Sequence, residues 1–87
     1  MNRIGMRPIH PGEVLSEEFL KPLGITSAAL ARSLGEPEAE LIDVVKQQSD
    51  VSAGLAKKLS MLLNTTPEFW LNLQSSYDHR SAEIERG

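Results

Sequence analysis

The chain has no cysteine among its 87 residues, which excludes disulfide cross-links and thiolate metal sites and fits a reducing interior. Aromatic residues are nearly as scarce, with one Trp, one Tyr and two Phe. The two histidines, His10 and His79, are too few for a metal site without further ligands beside them, so no metal is expected, and His10 is placed at the start of the first helix. No apolar run approaches the roughly 20 residues that span a bilayer, and the opening MNRIGMRPI lacks the apolar stretch of a secretory signal. The expectation is a soluble cytoplasmic protein. Nucleophile, base and orienting group do not occur together, and Glu17 and Glu18 are consecutive on a helix and point apart. Neither catalysis nor a cofactor is expected.

Also missing is a basic stripe of the kind that coats DNA. The net charge of −3 is unevenly spread. Residues 1–35 carry four bases and three acids, residues 36–50 one base and five acids, and residues 51–87 four of each. The acidity is local. A chain of this length forms one domain whose core leaves a modest surplus of stability, so a dimer is expected.

What is present is helical punctuation, with no period-two alternation over a strand length. Pro11 opens a first helix with Val14, Leu15 and Phe19 on its apolar side, ended by Pro22 and Gly24. Thr26 caps a second helix, SAALARSL, with Ile25 and Leu30 as a hydrophobic staple and Gly35 as its stop. A third helix begins near Pro37 and reaches Gln47 or Gln48. With Leu41 pointing to the core, Pro37, Val44 and Val45 share its inner side, while Ala39, Asp43 and Lys46 face out and Glu36, Glu40, Ile42 and Gln47 flank them. Ser52 caps a fourth helix with Leu55, Leu59, Leu62 and Leu63 on one face. Thr66 and Pro67 open a fifth, with Thr65 and Glu68 as an alternative capping box. Phe69, Trp70, Leu73 and Tyr77 form one face of it, which is either core or a dimer seam. After Asp78 the sequence turns polar and is expected to fray. The expected layout is an arm over 1–10, a helical domain over 11–77 and a polar helix end or tail over 78–87.

The second and third helices, joined by Leu34-Gly35 with the small Ala31 where they cross, satisfy the helix-turn-helix pattern over about residues 26–47. The stretches MRPIHPGEVLSEEFLKPLGITSAALARSLG (Met6 to Gly35) and TTPEFWLNLQSSYD (Thr65 to Asp78) strongly resemble the HigA/VapI family of antitoxins. The resemblance spans almost the whole chain. It implies an all-α, five-helix Cro/C1 (lambda-repressor-like) fold and a homodimer. It further implies an antitoxin that neutralises a HigB/RelE-like mRNA-cleaving toxin and represses its own operon by binding operator DNA.

Between those blocks the chain departs from the family. Where members read approximately P-x-N-R-I-S-E-I-I-N-G-K-R, this sequence has PEAELIDVVKQQS. The family's Asn and Arg become Ala39 and Glu40, its Ser becomes Ile42, and its Gly-Lys-Arg becomes Gln47, Gln48 and Ser49. Leu41 and Val44 keep the core positions. Two readings follow. In one, Ser27, Glu38, Ala39, Glu40, Ile42, Asp43, Lys46, Gln47 and Gln48 are the DNA-contacting set, with Arg3 and Arg7 of the arm able to reach a minor groove. In the other, Glu36, Glu40, Ile42 and Asp43 form an acidic, partly apolar surface for a basic toxin-like partner, and operator reading is lost. Early acids also favour a helix N-terminus by roughly 0.3 to 1 kcal/mol each when exposed.

Overall fold

A computed structural model describes residues 8–86 and contains five helices, with no strand among the described residues. Arg3 and Arg7 lie outside the described residues. Helix α1 is continuous over 11–23, with α-helical ends Pro11–Val14 and Lys21–Leu23 around a π-helical middle Leu15–Leu20. It is followed by α2 (Ser27–Leu34), α3 (Glu38–Val45), α4 (Ala53–Leu63) and α5 (Pro67–Arg86).

Pro22 does not stop α1 but sits in its last turn, and the π segment gives the physical reason. In a regular α-helix the proline ring collides with the carbonyl four residues back. Widening the preceding turn, so that the Lys21 N–H donates to the Ser16 carbonyl, shifts that carbonyl aside. The stop falls to Gly24, at φ 68°. At the other end His10 is the N-cap, and its Nδ1 accepts from the Gly12 N–H at 2.8 Å.

The predicted caps act as read. Thr26 Oγ1 accepts from Ala29 N–H, Ser52 Oγ from Leu55 N–H and Thr66 Oγ1 from Phe69 N–H. The first four helices end alike. A residue just beyond each helix turns left-handed, one position past the end for α1, α2 and α4 and two for α3, and the next N–H donates five residues back: Ile25 to Leu20 after Gly24, Glu36 to Ala31 after Gly35, Gln48 to Asp43 after Gln47, and Thr65 to Ser60 after Asn64. Helix α5 continues to Arg86, past the polar switch at Asp78, with His79 and Arg80 each beside Glu83 one turn on.

The core is Leu15, Leu20, Leu30, Ala31, Leu41, Val44, Val51, Leu55, Ala56, Leu59 and Trp70. Three expectations about faces need correction. Trp70 is 0% exposed within its own protomer, its indole N–H donating to Thr65 Oγ1 at 2.8 Å and its ring lying beside Phe19 and Phe69. It has no surface to give to a dimer seam, because α1 folds over it. Phe69 diverges from that inner face and is exposed, while Leu73 and Tyr77 are half-buried. On α4 the inner residues are Leu55, Ala56 and Leu59, and Leu62 turns outward beside an exposed Met61. Pro37 is likewise exposed, because it is the extended N-cap of α3 rather than its first turn.

The loop between α3 and α4 is held by a buried glutamine. Gln74 Oε1 accepts from the Val51 N–H at 2.8 Å, and its amide donates to Asp50 at 3.1 Å and Asp78 at 3.0 Å. Every hydrogen-bonding position of that amide nitrogen and the inner lone pair of its oxygen are used. His10 packs edge-on to Tyr77, with ring centroids 4.8 Å apart.

Candidate nucleic-acid interface

Helices α2 and α3 pack against each other, with Leu30 and Ala31 of one and Leu41 and Val44 of the other in the core. Ala31 is fully buried, so a larger side chain there has no open space to fill. Gly35, at φ 72°, makes the turn between them. Helix α3 is pinned from below as well. Gly12 of α1 lies so close to its C-terminal end that a Cβ on Gly12 would be 1.8 Å from the Val44 carbonyl oxygen.

This packing leaves one side of α3 to solvent. Ala39 and Lys46 are exposed and Ile42 and Asp43 half-buried, and at 100° per residue the four share one face. Glu38 and Glu40, both exposed, flank it on opposite sides. Gln47 and Gln48 extend the surface into the following turn, both exposed. Ser27 stands apart at the far end of α2, about 10 Å of helix from the Gly35 turn.

The acids of this stretch are met by cations from other elements. Lys58 of α4 reaches across to Glu36, whose side chain is only 17% exposed. Arg32 of α2 pairs with Glu38 at 3.2 Å. Glu36 is held below the usual carboxylate range chiefly by its hydrogen bond with Lys58 and next by one with Glu40. The hydrogen bond to Glu36 pushes Glu40 up, so Glu40 takes up a proton first as pH falls. Asp50 accepts from Gln74. On the outer face Asp43 and Lys46 stand one helical turn apart with opposite charge. Glu40 makes no ion pair of its own: it is tied to Glu36, and the Lys58 charge acts on it more weakly than that hydrogen bond does.

The sequence reading missed Arg32 and Lys58. Lys58 lies 22 positions from its partner, and no local signal marks such a pair. Gly12 and Gln74 were missed for the same reason, since each acts on a segment distant in sequence.

An all-helical chain with a glycine turn between two crossed helices, the second presenting its outer face to solvent, is a helix-turn-helix protein of the Cro/C1 type. No protein-family model matches the chain. It is 41% identical to antitoxin HigA-1 of Vibrio cholerae over 90% of its own length and 73% of that protein. Among solved structures, antitoxin GraA superposes with a TM-score of 0.92 at 53% identity, covering 95% of this chain and 89% of that one. The Pseudomonas aeruginosa antitoxin HigA, solved with the higBA promoter, superposes at 0.90 with 43% identity, covering 93% and 88%. The chain belongs to the HigA family of antitoxins.

Proposed function

We propose that the protein is the antitoxin of a type II toxin–antitoxin pair. It binds operator DNA as a two-fold dimer, α3 in the major groove, and represses its own operon. The observation that carries this reading is that Lys58 and Arg32 pair with Glu36 and Glu38, which leaves Asp43 and Lys46, of opposite charge, on the outer α3 face and Glu40 at its flank. Pairing two of the acids lowers the repulsion that a phosphate-lined groove would meet. Support comes from relatives of the same fold: GraA has been solved with its operator, at 52% identity and a TM-score of 0.88 over 94% of this chain and 83% of that one. Two α3 helices about one turn of DNA apart would engage a palindrome.

The same pairs weaken the alternative of an acidic docking surface, since Glu36 is already engaged by Lys58. A HigB/RelE-like toxin remains the protein partner under this reading, bound elsewhere on the domain. No catalytic role is assigned. No helix among the described residues is long and apolar enough to cross a membrane.

The test is fluorescence anisotropy against the DNA immediately upstream of the gene, at low and physiological salt. Saturable, sequence-dependent binding that weakens with salt is expected. Equal affinity for an unrelated duplex would refute the repressor role.

A further inference from the structure

The outer face of α3 specifies which base edges it can read, and this inference rests on the operator-binding reading above. With Glu36 and Glu38 occupied by Lys58 and Arg32 and Glu40 held at the flank by Glu36, the groups at the centre of this face are the methyl of Ala39, the aliphatic side chain of Ile42, the carboxylate of Asp43 and the ammonium of Lys46. In the major groove each base edge shows a distinct set of acceptors, donors and, for thymine alone, a methyl group. Ala39 and Ile42 have no donor or acceptor, so thymine C5-methyl groups are the only base feature they can recognise. Asp43 can only accept, which favours a cytosine amino group and rejects guanine, whose N7 and O6 are both acceptors.

We infer that the half-site is read through thymine methyls at Ala39 and Ile42 and a cytosine amino group at Asp43. This readout is mainly apolar and pyrimidine-directed. It needs no side-chain amide from the helix itself.

The experiment replaces every thymine of the upstream duplex by deoxyuridine, which deletes the methyl groups and keeps all Watson–Crick pairs. Each contacted methyl lost should weaken wild-type binding roughly fourfold, so two per half-site give a clear loss. An Ala39→Ser/Ile42→Ser double variant, which puts a polar hydroxyl at both positions, should bind the two duplexes alike. Asp43→Asn should move the preferred base at its position from cytosine to adenine, because an amide pairs with adenine N6 and N7. The wild-type comparison needs no variant to fold. If the thymine duplex binds saturably and the deoxyuridine duplex binds within twofold of it, the methyl readout is wrong and operator binding stands. If neither binds, both readings fall.

Discussion

Gly12 shows how little tolerance a single position can have. A Cβ there would meet a backbone oxygen, Val44 O, at 1.8 Å, and backbone cannot rotate out of the way as a side chain can. Alanine would gain up to about 1 kcal/mol of helix propensity, but forcing α1 off α3 costs about 1–3 kcal/mol by the measure of overpacked cores. Gly12→Ala is therefore expected to lower the melting temperature by several degrees, about 4–8 °C per kcal/mol for a domain of this size, as read by circular dichroism. The sequence marks Pro11 as the helix start and gives Gly12 no role. That Gly12 faces another helix is not legible there, because its contact is 32 positions further on.

Element boundaries were legible wherever one residue's own chemistry makes the cap. Thr26, Ser52 and Thr66 place a hydroxyl at a helix start, and Gly24 and Gly35 tolerate positive φ at a helix end. Helix α3 is the exception at both ends. Pro37 reads as a first helical residue yet serves as the extended cap, and Gln47 reads as helix yet adopts φ 66°. Nothing in a glutamine signals a left-handed turn. That conformation costs a β-carbon-bearing residue about 1–2 kcal/mol, against up to about 1 kcal/mol of extra backbone entropy lost by glycine on folding. The helix continuation predicted to Gln47 or Gln48 fails because the Gln48 N–H closes on the Asp43 carbonyl instead. Gln47→Gly should raise stability by about 0.5–1 kcal/mol in urea unfolding, and a loss would show that the side chain holds the turn. The acidity of α3 was legible as composition but not as electrostatics, since its countercharges come from α2 and α4.

At the scale of the whole molecule, α1, the α3–α4 loop and α5 converge on His10. The imidazole is 1% exposed and accepts from Gly12 at Nδ1, so it is neutral in the fold. Burial pushes its pKa below 6.5, opposed first by the Asp50 charge, then by a hydrogen bond with the Ser49 backbone and by Asp78. In the unfolded chain the group titrates near 6.5 and binds more protons at lower pH, so its contribution to stability is complete above 6.5 and is lost as pH falls through the folded value. Stability from urea midpoints at pH 7, 6 and 5 should decline, and His10→Asn, which keeps an N-cap acceptor and cannot titrate here, should flatten that decline. A slope unchanged in the variant would place the sensitivity elsewhere. Sequence placed His10 at the start of the first helix; its burial depends on Tyr77, which α5 brings from the other end of the chain.

The four matching helix ends bear on how quickly the chain can find this arrangement. Each stop is closed by hydrogen bonds within six consecutive residues, so a helix can terminate before any distant segment has arrived. Neighbours in sequence are also major packing partners, α2 with α3 and α4 with α5. Closing the short loops between them costs little chain entropy, and such topologies fold in microseconds to milliseconds. A nascent or transiently unfolded copy accordingly spends little time with Trp70 and the leucines of the core in water.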